Sequence, residues 1–195
     1  MRRPLFYRTF FAFRPNTTQR RWLEHLVHVA GQRGRRIQPD NFHLTLCVIA
    51  ELLDRDPFVV ARAKAALDGD LLSSCSFWLG QVRGGSKGAA VHALRRQRDI
   101  QKFYKKLIAL LAARDIVPFH RKSGFRPHVT LGYDPCAFDP FELPCEWVPD
   151  ELLLIESEVG NGVHNVIASW PLLPPTQGRL ALGDPFKPNL PLLAA

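Results

Sequence analysis

Apolar residues follow two rhythms along this chain. Dense or alternating runs mark strands at Leu5 to Phe13, Phe42 to Ile49, Ser76 to Val82, Ala89 to Leu94, Pro127 to Tyr133, Glu151 to Glu158 and Val163 to Trp170. Three- and four-residue spacing marks helices. Trp22, Leu23, Leu26 and Val27 share one face of a segment that Thr17 or Thr18 can cap and that runs to about Ala30. Asp54 to Leu67 reads as a second helix, opening near Asp56-Pro57. Arg95 to Arg114 is the longest, with Ile100, Phe103, Leu107 and Leu110/Leu111 in helical phase.

Turn residues join these pieces. Pro15-Asn16 and Pro39-Asp40-Asn41 turn the chain, Gly31 and Gly34 end the first helix, and the loop from Arg83 to Gly88 closes one hairpin. Gly160-Asn161-Gly162 closes another. Hairpins demand antiparallel pairing, so the mixed order of strands and helices predicts an α+β fold rather than a doubly wound parallel sheet. From Pro171 onward there are six prolines and little periodicity, which predicts an extended or partly disordered tail.

At 195 residues, 46% of them hydrophobic, the chain can build a core as one domain or as two packed lobes. A net charge of +8 favours a polyanionic partner, nucleic acid before an acidic membrane surface. Arg95, Arg96, Arg98, Lys105 and Lys106 make the long helix basic, either as a solvated face or as an RNA-backbone track. Cys47, Cys75, Cys136 and Cys145 form no C-x-x-C pair, which predicts free thiols in a reducing compartment rather than a zinc ribbon or disulfide framework. Arg8 interrupts the N-terminal apolar stretch, and no small-residue cleavage site follows it. No apolar run reaches the ~18 residues of a membrane span, and a cytoplasmic protein is the expectation.

The candidate chemistry lies in a repeated signature. His43-Leu44-Thr45-Leu46 recurs as His128-Val129-Thr130-Leu131, 85 residues later. Random placement gives roughly 0.03 His-x-Thr-Leu strings in a chain of this composition, so a pair is not casual. On a strand, residues two apart share a face. Each His/Thr pair therefore faces away from the apolar residues that anchor it. Histidine exchanges protons near neutrality. One imidazole can activate a water or hydroxyl while the other protonates a departing oxygen, and the threonine hydroxyls can donate to non-bridging phosphate oxygens. This chemistry needs no metal or other cofactor, and no ligand spacing signals one.

The two H-x-T-x motifs resemble the 2H phosphoesterase superfamily, and their flanks resemble its LigT-like branch of RNA 2′,3′-cyclic phosphodiesterases or 2′–5′ RNA ligases. The flanks are Leu5-Phe6, Phe10-Phe11-Ala12-Phe13-Arg14-Pro15, Pro39-Asp40-Asn41-Phe42, Phe125-Arg126-Pro127, Ile155-Glu156-Ser157 and Ala168-Ser169-Trp170-Pro171-Leu172. The resemblance implies a bilobal domain over residues 1–173, with a proline-rich tail at 174–195. Its two antiparallel sheets would be related by a pseudo-twofold axis around a central cleft, with helices outside.

The resemblance also implies hydrolysis of RNA-terminal 2′,3′-cyclic phosphate to 2′-phosphate, with possible reverse 2′–5′ ligation, by a monomer acting on RNA ends or related nucleotides and not on membranes. His43 would be the proton donor, His128 the acceptor, and Thr45 and Thr130 the phosphate contacts; sequence leaves the acid and base interchangeable. Family members often carry a basic residue shortly after the second motif, where this chain has Gly132-Tyr133-Asp134. Arg126 is the candidate substitute, and Tyr133 and Lys87 are further candidate RNA contacts. The alternatives are a non-catalytic nucleotide- or RNA-binding module on the same fold, and a phosphodiesterase for a small cyclic nucleotide or a 2′–5′ oligonucleotide. His25, His28, His92, His120 and His164 are assigned ordinary structural roles. The Gly84 to Gly88 loop lacks Walker spacing.

Overall fold

The computed structural model describes residues 5–31, 36–119 and 124–175. Along the chain run β1 (Phe6–Phe13), α1 (Thr17–Val29), β2 (Leu44–Leu52), α2 (Pro57–Ala65), β3 (Phe77–Arg83), β4 (Ala89–Ala93), α3 (Arg98–Ala112), β5 (His128–Gly132), β6 (Phe141–Trp147), β7 (Glu151–Val159) and β8 (Val163–Pro171). The strands form one eight-stranded sheet in the order β6-β3-β4-β5-β2-β1-β7-β8, with every neighbouring pair antiparallel.

The middle of this sheet is its narrowest join. β2 meets β5 through one register pair, Leu44 opposite Val129, whereas β1 meets β2 and β7 along most of its length. The sheet is thus two four-stranded halves, continuous through one residue pair. Outward from that seam the order is β2-β1-β7-β8 on one side and β5-β4-β3-β6 on the other. Each half threads a helix between its two inner strands: β1-α1-β2 and β4-α3-β5. Antiparallel strands paired at one point are related there by a twofold axis, which carries Leu44 onto Val129 and so moves the numbering by the signature spacing of 85.

Strand alternation decides what lies on each face. Phe11, Phe13, Leu44, Leu46, Val91, Val129 and Leu131 are buried with Leu23 and Leu26 of α1 and with Ile100, Phe103, Leu107 and Leu111 of α3. Full burial of such side chains stabilises by about 1.5–3 kcal/mol each. The opposite face carries a small apolar cluster of Phe10, Ala12, Leu153 and Ile155, with Val48 packed against it.

Local structure departs from expectation in two places. α1 is capped by Asn16 rather than by Thr17 or Thr18. The Asn16 Oδ1 accepts from the Gln19 amide at 2.9 Å and the Gln19 Oε1 accepts from the Asn16 amide at 2.9 Å, a reciprocal capping box. β6 is a strand the hydrophobic pattern does not show. Pro144 interrupts it, and it survives because it is an edge strand, where a missing N–H need break no ladder. Its register against β3 shifts at Gly80, where a side-chain carbon would lie 2.9 Å from the Pro144 Cα.

The four cysteines are free thiols, Cys47 and Cys75 buried and Cys136 and Cys145 half-buried. Among the described residues no helix is long and apolar enough to cross a membrane. Of the expected tail, only residues 174 and 175 fall within the described part of the chain.

Gly88 closes the β3–β4 hairpin against the end of β5. Its φ is +113°, and a Cβ there would lie 2.0 Å from the Gly132 carbonyl oxygen. Gly88→Ala therefore has to break both the turn and the β4–β5 edge. We expect it to lose at least about 2 kcal/mol of stability in a urea titration.

Candidate active site

The seam fixes the geometry of both signatures. Leu44 and Leu46 on β2, and Val129 and Leu131 on β5, are buried in the core, so His43, Thr45, His128 and Thr130 share the opposite face and are partly exposed. With Leu44 opposite Val129, the next positions on either side are crossed: His43 falls opposite Thr130 and Thr45 opposite His128. The histidines thus occupy diagonal corners, with Cβ atoms roughly 7–8 Å apart.

Both imidazoles are held in the same way. His43 Nδ1 lies 2.7 Å from the Asn41 carbonyl oxygen and His128 Nδ1 lies 2.9 Å from that of Arg126, in each case two residues back. A carbonyl oxygen only accepts, so Nδ1 carries the proton and Nε2 is the basic nitrogen of the neutral ring. Asn41 has a second role: its Nδ2 donates to the Gly162 carbonyl at 2.7 Å, which ties the β7–β8 turn to the segment entering β2.

That tie brings in a residue the sequence assigns elsewhere. His164, near the start of β8, meets the His43 ring edge-on, with centroids 4.9 Å apart and planes at 75°. Phe10 packs on the same His43 ring at 5.0 Å. On the other half His92 is the cross-strand neighbour of His128, with rings stacked at 5.6 Å and 25°. His92 and His164, read from sequence as ordinary structural residues, each touch a signature histidine. The pattern hides this because register between strands is not written in either strand alone. His120 lies outside the described residues.

Burial dominates the electrostatics. It lowers the pKa of His43 to about 4, assisted by the charges of His164, Arg14 and His128 and opposed by the Asn41 hydrogen bond. His92 is lowered to about 4 by burial and then by His128, Arg83 and Arg126, and His164 to about 4 by burial and then by Arg14. All three are neutral at pH 7 in the empty site.

The remaining candidates divide. Arg126 is exposed, but its backbone holds His128 and its charge reaches His92. Tyr133 is exposed beyond the end of β5. Lys87 sits on the hairpin tip beside Gly132, four residues along β5 from His128, or about 13 Å. The structure therefore does not bring Lys87 to the histidines. Arg14, absent from the candidate list, does reach them. A cavity of about 310 Å³ opens beside Thr45 and His128, lined by Val48, Ile108 and Phe119 and by Tyr104 and Phe125, whose rings stack at 4.3 Å. Among the described residues no group of three or more His, Cys, Asp or Glu is placed to hold a metal ion.

Known structures share this architecture. Crystal structures of E. coli LigT with ATP and with 3′-AMP superpose at a TM-score of 0.66 and 20% identity, covering 86% and 88% of this chain and 99% of that one. TT0787 of Thermus thermophilus superposes at 0.67 with 21% identity, over 85% of this chain and 97% of that one. This chain has the LigT fold. No family model matches the sequence, and no curated protein does. The LigT-like fold accounts for the eight antiparallel strands and three α-helices among the described residues.

The depressed histidines predict a pH effect on stability. The folded state resists protonation, so the unfolded state binds more protons between about pH 4 and the ordinary 6.5. The contribution is fully present above 6.5 and is lost as pH falls through that window. Thermal melts should show a decline toward pH 4, and His43→Asn should flatten it by on the order of 1–2 kcal/mol, allowing for the ring's partial exposure.

Proposed function

We propose that this chain hydrolyses 2′,3′-cyclic phosphates at RNA ends to 2′-phosphates without a metal. The observation that carries the reading is the crossed register, which sets two His/Thr pairs on one face with each Nδ1 held by a backbone carbonyl. In the proposed step water attacks phosphorus and gives its proton to His128. The bond from phosphorus to the 3′ oxygen breaks, and that oxygen takes a proton from His43. Thr45 and Thr130 donate to the non-bridging oxygens. An RNA 5′-hydroxyl in the place of water would give a 2′–5′ linkage by the same steps.

The resting state of His43 bears on its role as donor. Neutral when the site is empty, it must gain its proton before it can give one. The negative charge of a bound phosphodiester favours that gain. The net charge of +8 suits RNA, and the aromatic cavity beside His128 is large enough for a nucleobase. The fold neighbour LigT has been crystallised with 3′-AMP, ATP and phosphate.

Incubation with a short RNA ending in a 2′,3′-cyclic phosphate should yield a product one water heavier, with a 2′-phosphate, at a rate that EDTA leaves unchanged. His43→Ala and His128→Ala should each lower kcat by about 10²–10⁴-fold with the fold retained. Thr45→Val and Thr130→Val should each cost about tenfold in kcat/KM. Full turnover by either histidine variant, or binding of the RNA with no turnover by the native chain, overturns the reading.

A further inference from the structure

Arg14 follows the last residue of β1. The register there runs Ala12 opposite Thr45 and Phe13 opposite Leu44, so the next position, Arg14, falls opposite His43. Alternation along β1 puts Arg14 on the face of Phe10 and Ala12, which is the face of the signature pairs. The Arg14 side chain is half-buried, its Nε is shut off from solvent, and among the described residues that nitrogen has no hydrogen-bond partner. The described residues include no ion pair to Arg14. His164 is in the same condition: its Nδ1 is buried and unpartnered while its ring stands against His43.

A guanidinium without an acceptor or counter-charge is rare in a folded protein. Among the described residues Arg14 stands in that state on the face that carries the signatures, beside the contacting rings of His43 and His164, and this suits an anion. A phosphate oxygen would pair with the terminal nitrogens of the guanidinium. It would also neutralise the guanidinium, whose charge otherwise acts against the protonation of His43 and His164.

We propose that Arg14 and His164 form an anion seat on the His43 side of the site, which holds the non-bridging oxygens of the reacting phosphate. Arg14 supplies the fixed charge and His164 a directional N–H. Arg14 is a binding residue that touches the phosphate, and His164 shares that contact while it orients the His43 ring. The assignment rests on the reading above for the identity of the substrate, but phosphate binding itself does not require turnover.

Arg14→Gln and Arg14→Lys separate charge from packing. The native chain, both variants and His164→Gln should be titrated with inorganic phosphate by calorimetry at pH 7, with His43 followed by NMR. Arg14→Gln should weaken phosphate at least tenfold, Arg14→Lys by less, and His164→Gln by about threefold. Without phosphate, Arg14→Gln should raise the His43 pKa, and a value that stays low in Arg14→Lys separates loss of charge from exposure of the ring. With the cyclic-phosphate RNA, Arg14→Gln should raise KM more than it lowers kcat. Phosphate affinity unchanged in folded Arg14→Gln overturns the seat. Phosphate held through Arg14 in a chain that never opens the cyclic phosphate supports the seat and overturns the hydrolase reading instead.

Discussion

The site depends on one cross-strand pair. Leu44 and Val129 are both fully buried, and their side chains lock β2 against β5 from the core side. One ladder pair supplies little hydrogen-bond energy, about 1 kcal/mol net, so the register must be held by what those side chains bury. A slip of one residue would turn every side chain on that strand to the other face. His43 and Thr45 would enter the core, and Leu44 and Leu46 would meet solvent. The hydrophobic cost of that exchange is what holds the crossed His/Thr arrangement in place, and the chemistry of the open face is thus fixed from behind the sheet.

On that face the fold gathers groups that disfavour one another's charge. His43, His164 and Arg14 stand together on one half, and His128, His92 and Arg126 on the other. The conflict is relieved by keeping three of the imidazoles neutral. This makes the empty site costly to protonate and a phosphate the natural source of relief. An anion in the proposed seat would lower the cost of charging His43, so in the proposed reaction arrival of substrate and readiness of the proton donor would become one event. A permanently protonated histidine would lack that coupling.

Much of this was legible in the sequence. The helical phase of Leu23, Leu26, Ile100, Phe103, Leu107 and Leu111 gives two of the three helices and their buried faces. The doubled signature gives both histidines and both threonines. What was not legible depends on register or on edges. β6 is concealed because Pro144 contradicts the pattern of an interior strand. His92 becomes part of the site only once β4 is aligned on β5, and His164 only once Asn41 pins the β7–β8 turn. Arg14 stood in plain view at the end of the first strand. Its meaning comes from falling opposite His43, which requires knowing that β1 and β2 are neighbours and where their pairing starts.

The two halves repeat in topology but not in charge, and the difference has a direction. The position opposite His128 on β4 is His92, and the corresponding position opposite His43 is Arg14. One is titratable and held neutral, the other is a fixed cation. The further cations near His92 are Arg83 and Arg126, both exposed, where water and salt screen them, whereas Arg14 is half-buried and acts at closer to full strength. A phosphate placed between the histidines therefore feels the stronger pull toward the His43 side. In the proposed reaction the departing 3′ oxygen of the nucleoside would then lie at His43 and the attacking water on the His128 side. A symmetric scaffold could bind a phosphate in two equivalent ways; a single arginine in place of a histidine favours one of them.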